Sequence, residues 1–242
     1  MRHVTTLVAQ AREQSWYHTL ELPGFTTPGW FDLRPYVDRY KIPERLDGLR
    51  ALDIGTWDGF WAFELERRGA EVVALDVDEE SEYDWPPRRR PKEWTMLDRG
   101  KGFRLAHELL DSKVERIACN IYEASPERLG GKFDLVFCGS VLIHLRDQLL
   151  ALERLAGVCR GRLILAEEYD RVTSLLPWPV ARYHADRDKA VVFWVPNAKT
   201  WAKMAWTAGF EDVQVQGRFN MKVQDKFTVP HVVLHARAPA GS

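Results

Sequence analysis

Short apolar runs separated by amphipathic stretches set the rhythm of this chain from residue 50 onward. Five runs have the length and composition of strands buried on both faces: Leu52–Ile54, Val72–Leu75, Val114–Cys119, Phe133–Cys138 and Gly161–Glu167. Helical patterns fall between them: Phe60–Arg68, Phe103–Leu110 and Asp147–Cys159. Strands that alternate with helices are typical of a doubly wound parallel sheet.

The pattern changes near the C-terminus. Asn197 begins a helix that runs to Ala208 and is closed by Gly209. Two segments of alternating polarity follow, Val213–Phe219 and His231–Arg237, and they predict an antiparallel pair. The whole pattern predicts an α/β fold with a Rossmann-like doubly wound sheet, mostly parallel with a terminal antiparallel strand pair.

Residues 1–49 precede this rhythm and form a separate unit in our interpretation, a helical and aromatic lead-in or lid. A helix is predicted over Val4–Ser15 and a short amphipathic helix over Asp32–Tyr40. Ser81–Gly102 and Ser174–Ala190 read as irregular. Aromatic residues of the irregular stretches are expected to line a lid or pocket wall: Trp16, Tyr17, Trp30, Phe31, Trp85 and Trp94.

Length and composition favour one α/β domain over residues 50–242. The chain has 242 residues, with 34 basic and 35 acidic side chains and a net charge of −1. Such a balance gives no general attraction to nucleic acid or to anionic membranes. Three scattered cysteines, no metal-binding spacing, no signal peptide and no apolar run of membrane-spanning length predict a cytoplasmic protein without a metal.

The turn after the first strand carries the clearest chemical signal. Asp53 ends the strand, Gly55 and Gly59 punctuate the turn, and Asp76 ends the next strand 23 residues after Asp53. This layout resembles a nucleotide-type site, in which a strand-end carboxylate grips a ribose.

The same turn does not suit a dinucleotide. Trp57 and Phe60 stand where the G-x-G-x-x-G pattern requires glycine, which disfavours an NAD-dependent oxidoreductase. Asp53 would also repel a pyrophosphate. A ligand with hydroxyls and an ammonium group, such as S-adenosylmethionine, fits these residues better.

With these motifs in order, residues 50–237 resemble the class I S-adenosylmethionine-dependent methyltransferases. The resemblance implies that residues 50–242 are a methyltransferase domain. It implies that Asp53 lies under the methionine end of the cofactor and that Asp76 takes the ribose hydroxyls. Asn120 and Ile121 match the adenine-contacting position. The implied cofactor-binding set is Asp53, Gly55, Thr56, Gly59, Asp76, Asn120, Ile121 and Cys138. Trp57 replaces the usual central glycine, so its indole must turn away from the cofactor or cover it.

A narrower resemblance is to short relatives of the tRNA wobble-uridine carboxymethyltransferase family. It rests on Val141–Arg146, Glu167–Asp170 and Phe193–Asn197. That family has a tyrosine at the position of Ile143 and a longer N-terminal part. Both differences point to ordinary S-adenosylmethionine and away from tRNA.

His144 follows the fourth strand, where the acceptor should sit, and it is the candidate general base. Its alternative role is packing. Arg88, within the run Arg88–Arg90, is a candidate clamp for an anionic group, or part of a solvated loop. Further candidate substrate-binding residues are Tyr17, His18, Arg146 and Tyr183.

The sequence therefore predicts a methyltransferase that acts on a small or medium-sized molecule, with oxygen favoured as the acceptor. Two alternatives stay open: a tRNA-modifying (carboxy)methyltransferase, and an S-adenosylmethionine-binding protein without turnover. The substrate and the oligomeric state are also open.

Overall fold

The computed structural model describes residues 2–90, 98–184, 191–224, 226–239 and 241. Its strands are β1 (Glu21–Leu22), β2 (Phe25–Thr26), β3 (Arg50–Ile54), β4 (Glu71–Asp76), β5 (Glu115–Ala118), β6 (Phe133–Gly139), β7 (Cys159–Glu168), β8 (Ala181–Tyr183), β9 (Trp194–Pro196), β10 (Glu211–Val223) and β11 (Phe227–Arg237). Its α-helices are α1 (Arg2–Glu13), α2 (Phe60–Arg67), α3 (Lys101–Leu109), α4 (Gln148–Val158) and α5 (Ala198–Thr207).

Seven strands form the central sheet, in the order β10–β11–β7–β6–β3–β4–β5. The contacts between β5, β4, β3, β6 and β7 are all parallel, whereas β11 is antiparallel to both β7 and β10. This confirms the predicted sheet and its terminal antiparallel pair. The chain winds outward from β3 to β5 and then returns to β6 on the other side of β3. The crevice between β3 and β6 is therefore the switch point, where ligands bind in such sheets.

The sheet buries a different cluster on each face because successive side chains of a strand point to opposite sides. Leu52 and Val136 belong to the face covered by α4 and α5. Ala51 and Phe137 belong to the face covered by α2, α3 and the N-terminal residues. Leucine and phenylalanine side chains fully removed from water supply about 1.5–3 kcal/mol each on transfer.

Residues 2–49 pack on the second face. Trp16 and Tyr40 are 2% exposed and belong to its cluster. The predicted helix over Asp32–Tyr40 is a 3-10 helix at Arg34–Tyr40. The small pairs β1–β2 and β8–β9 were missed, because strands of two or three residues have no recognisable period. Trp94, part of the stretch Ser81–Gly102, and residues 185–190 of Ser174–Ala190 lie outside the described residues.

The predicted start and end of the last helix agree with the capping residues in the structure. Asn197 Oδ1 accepts a hydrogen bond from the Thr200 N–H at 2.8 Å and starts α5. Gly209 adopts φ +107° directly after that helix. None of the helices in the described ranges is both long and apolar enough to cross a membrane.

Candidate active site

The turn after β3 brings the backbone close to its neighbours. The Gly55 and Thr56 N–H groups donate to the Leu75 carbonyl at 2.8 and 3.2 Å, which ties the turn to β4. Gly55 has φ +68°, and a Cβ there would lie 2.5 Å from Val141 Cγ2. Position 55, at the switch point between β3 and β6, therefore requires glycine.

Asp53 lies beneath this turn and is 1% exposed. Burial raises the pKa of its carboxyl to about 7, while the neighbouring Thr56 hydroxyl and the Ala62 N–H act in the opposite direction. Within the described part of the chain, Asp53 Oδ2 has no hydrogen-bond partner. A buried carboxyl oxygen without a partner is costly, so the arrangement suits a positively charged or N–H-bearing ligand group.

Asp76 ends β4 beside the same turn. Its Oδ2 accepts the Trp57 N–H at 2.7 Å, and its Oδ1 accepts the Val77 N–H at 2.8 Å. Burial raises the pKa of this carboxyl, and the Arg116 guanidinium acts against that rise. Each oxygen of a carboxylate offers about two acceptor sites. Asp76 thus keeps acceptor capacity for hydroxyls of a ligand.

Trp57 replaces glycine in the turn and still adopts the left-handed conformation, with φ +50°. Its ring stacks on Tyr17, with centroids 4.4 Å apart and an interplanar angle of 29°. The Arg99 guanidinium lies 5.1 Å from the indole centroid. Tyr17 and Trp57, with the Arg99 guanidinium beside the indole, lie over the turn after β3, and we call these three residues the aromatic cover. The indole thus packs against the N-terminal residues.

Asp58, which the sequence interpretation overlooked, attaches the N-terminal residues to the turn. Its Oδ2 accepts the Tyr17 N–H at 2.6 Å and the His18 N–H at 3.0 Å. The side chain is 2% exposed, and burial raises its pKa to about 6. His18 is also buried, which lowers the pKa of its imidazole to about 3. The sequence signal that could have identified Asp58 was an aspartate between the two glycines of the turn, Gly55 and Gly59.

The predicted adenine-contacting residues follow β5. Asn120 Oδ1 accepts the Tyr122 N–H at 3.0 Å, and its Nδ2 donates to the Glu82 carbonyl at 3.1 Å. Its amide therefore caps a 3-10 turn and holds the segment after β4. Ile121 is buried beside it. Cys138 is fully buried in β6, and burial raises the pKa of its thiol.

The segment after β6 is anchored by Glu167 at the end of β7. Glu167 Oε1 accepts the Val141 and Leu142 N–H groups at 3.0 and 2.9 Å. The carboxyl is fully buried, which raises its pKa to about 8. His144 ends the 3-10 turn that follows and is half-buried, and its Nδ1 lies within hydrogen-bond distance of the Val191 carbonyl.

A second histidine approaches the end of β6 from β11. His231 Nε2 lies 2.8 Å from Ser140 Oγ, and His231 Nδ1 lies 3.1 Å from the Val229 carbonyl. The His231 side chain is 1% exposed. This contact joins residues 91 positions apart in the chain, so no local sequence pattern could predict it.

The remaining candidates for substrate binding are dispersed. Arg146 donates through its N–H to Asp84 Oδ2 at 2.8 Å and through Nη2 to the Trp85 carbonyl at 2.9 Å, beside a groove of about 480 Å³. Arg88 is exposed on the loop that contains Asp84 and Trp85. Tyr183 is exposed on β8, with its ring 4.5 Å from that of Trp194. Tyr183 thus packs against β9.

The crevice, the strand-end acids and the sheet order together define a class I methyltransferase fold. The chain belongs to the methyltransferase domain family, whose model matches residues 32–215. A tRNA U34 carboxymethyltransferase of Alcanivorax borkumensis is 28% identical over 187 residues, which cover 75% of this chain and 51% of that protein. The biotin biosynthesis bifunctional protein BioHC of Cellvibrio japonicus is 53% identical over 36 residues, 15% of this chain and 7% of that protein. The chain spans about half the length of the first relative and a small part of the second.

Solved structures share the architecture. The N-terminal domain of EvdMO1, crystallised in the presence of SAH and D-fucose, superposes with a TM-score of 0.64 at 18% identity, covering 98% of this chain and 97% of that one. Magnesium protoporphyrin IX methyltransferase from Synechocystis PCC 6803 with bound SAM gives 0.54 at 18% identity, covering 85% and 77%. The predicted class is confirmed: the chain carries a methyltransferase domain, and it shares its fold with proteins that were crystallised with SAH or SAM.

Proposed function

We propose that this enzyme methylates an oxygen atom of a small or medium-sized molecule. The observation that carries the proposal is the way the N-terminal residues close over the turn. Asp58 holds Tyr17 and His18 by their backbone, and the Tyr17 ring lies on Trp57. A crevice roofed by aromatic side chains suits an acceptor small enough to enter beneath them. A net charge of −1 gives no general attraction to RNA.

The residues present fit the cofactor. Asp53 Oδ2, which has no hydrogen-bond partner among the residues that the structure describes, is a buried acceptor suited to an ammonium group. Asp76 lies on the adjacent strand, with acceptor capacity for two ribose hydroxyls. Gly55 leaves room along the crevice, and Thr56, Gly59, Asn120, Ile121 and Cys138 complete the proposed cofactor-binding set.

When bound, S-adenosylmethionine supplies an electrophilic methyl group on a sulfonium sulfur. The protein's own contribution is positioning and exclusion of water. Holding the acceptor oxygen in line with the methyl group can lower the barrier by several kcal/mol. The aromatic cover keeps water from solvating that oxygen.

The remaining assignments belong to the same proposal. His144 is the general-base candidate that the sequence indicated, with packing as its alternative role, and Tyr17, His18, Arg88, Arg146 and Tyr183 are the proposed contacts to the acceptor. The three free cysteines are all buried, which suits a reducing cytoplasm.

The test is a methyl-transfer screen. The purified protein is incubated with S-adenosylmethionine and a panel of hydroxyl-bearing small molecules, and S-adenosylhomocysteine is measured. D-fucose belongs in the panel because EvdMO1 was crystallised in its presence. We expect turnover with a small hydroxyl compound.

Two other outcomes would contradict the proposal. Turnover with tRNA and a carboxylated donor would favour the tRNA alternative, to which the 28% identical relative points. Tight cofactor binding without turnover on any acceptor, tRNA included, would favour a binding protein.

A further inference from the structure

The turn after β6 presents a serine in an unusual backbone conformation. Ser140 directly follows Gly139, the last residue of β6, and adopts φ +58°. A side chain other than glycine costs about 1 kcal/mol or more in this left-handed region. Its neighbour Val141 touches Gly55, so Ser140 lies at the crevice between β3 and β6. Ser140 thus occupies a position where glycine would be less strained.

The contacts of His231 fix the direction of the hydrogen bond to Ser140. The Val229 carbonyl can only accept a hydrogen bond, so His231 Nδ1, at 3.1 Å, carries the proton. His231 Nε2 then offers a lone pair, and the Ser140 hydroxyl donates to it at 2.8 Å. The lone pairs of Ser140 Oγ are left as acceptors for a hydroxyl in the crevice.

Burial and a nearby carboxylate act in opposite directions on the pKa of the His231 imidazole. The ring is 1% exposed and stacks on Phe219 of β10, with centroids 5.4 Å apart. Burial lowers its pKa, while Glu168 of β7, the charged group that acts on it, works in the opposite direction. Glu168 lies directly opposite His231 on the neighbouring antiparallel strand β7. An imidazolium formed during a reaction would therefore have an anionic neighbour.

We propose that Ser140 and His231 form a relay that takes the proton of the acceptor hydroxyl during methyl transfer. The inference rests on the proposed oxygen methylation. As the acceptor oxygen bonds to the methyl carbon, the bond from that carbon to sulfur breaks and its electron pair stays on sulfur. The acceptor proton moves to Ser140 Oγ, and the Ser140 proton moves to His231 Nε2. After methyl transfer, His231 Nε2 gives its proton back to Ser140 Oγ, which passes its own proton to water in the crevice and so restores the starting state. Ser140 is the catalytic residue of the pair, and His231 acts through it.

The first test needs no acceptor. Nitrogen-15 NMR of the imidazoles at pH 7, assigned with His231→Gln, should show His231 protonated at Nδ1 only. Ser140→Gly should keep that tautomer and shift the Nε2 resonance. A proton on Nε2 in the parent protein would overturn the relay, because that nitrogen could not then accept one.

The second test uses the acceptor found in the screen. Ser140→Gly, which suits the left-handed backbone, and His231→Gln should each lower kcat by about 10²–10⁴-fold. The cofactor Kd and the acceptor KM should stay within about two-fold. The double variant should be no slower than the slower single variant, because the two side chains act as a unit. Ser112→Ala is the matched control: Ser112 Oγ donates to Glu66 Oε2 at 2.7 Å, just before β5 and so at the opposite edge of the sheet.

The pH profile separates the relay from the His144 assignment. The parent rate should fall on the acidic side as His231 becomes protonated, and His231→Gln should abolish that fall. A rate for Ser140→Gly within about three-fold of the parent, or an acidic fall abolished by His144→Gln and unchanged in His231→Gln, would overturn the relay. If no acceptor turns over, the proposed function fails, while the NMR result still decides whether Ser140 donates to His231.

Discussion

Replacing Asp58 tests how the N-terminal residues are held on the cofactor turn. In Asp58→Ala, the Tyr17 and His18 N–H groups lose the oxygen that accepts both of them. A buried donor without a partner costs about 1–3 kcal/mol, so the pair should cost about 2–6 kcal/mol of unfolding free energy. Asp58→Asn keeps an acceptor oxygen and should cost less.

The cost should also depend on pH. Burial raises the Asp58 pKa from 3.8 to about 6. The folded protein then binds this proton more tightly than the unfolded chain does. The side chain therefore contributes most at low pH and loses that contribution as pH rises through about 6. Between pH 5 and pH 8 the loss amounts to about 1.4 kcal/mol. The cost of Asp58→Ala should thus be larger at pH 5 by about that amount.

Urea denaturation at pH 5 and pH 8 measures these differences. Amide hydrogen exchange at Tyr17 and His18 reports the local contact, and both amides should exchange at least about ten-fold faster in Asp58→Ala. Glu153→Ala, on the exposed face of α4, is the control and should change stability by less than about 0.5 kcal/mol at either pH. Unchanged exchange at both amides, or a cost that is larger at pH 8, would refute the reasoning.

Four further predictions follow from the site. Asp76→Ala should weaken S-adenosylmethionine binding at least about ten-fold in calorimetry, because ribose hydroxyls lose their acceptor; equal affinity would mean that the cofactor binds elsewhere. The melting temperature of the ligand-free protein should fall from pH 5 to pH 8, because burial raises the Glu167 pKa to about 8 and so makes its ionisation unfavourable in the folded state. In Glu167→Gln the melting temperature should depend less on pH. Because Ile143 is a buried aliphatic side chain, S-adenosylmethionine should bind at least as tightly as its carboxylated analogue in a competition titration. Binding to tRNA should fade by about 0.15 M salt in a filter assay, and a salt-resistant complex would contradict the small-molecule proposal.

Local signals account for the elements that the sequence predicted well. The helix at Phe60–Arg67 lies within one residue of its predicted end, because Gly69 adopts φ +99° and stops it. The buried parallel strands were recognisable because both of their faces are covered, which leaves continuous apolar runs. The order of these strands and helices was enough to predict the sheet, and the enzyme class came from the motifs at the strand ends and the family that they resemble.

The contacts that build the site depend on residues far apart in the chain. Asp58 meets Tyr17 and His18 about forty positions away, and Ser140 meets His231 across 91. Such pairs have no periodicity, because they form only when folding places distant segments of the chain side by side. The sequence was enough to predict the fold and the methyltransferase class, since these follow from local pattern and motif order. Only the tertiary structure decided where the Trp57 indole lies and which histidine contacts Ser140, since both depend on packing between distant segments.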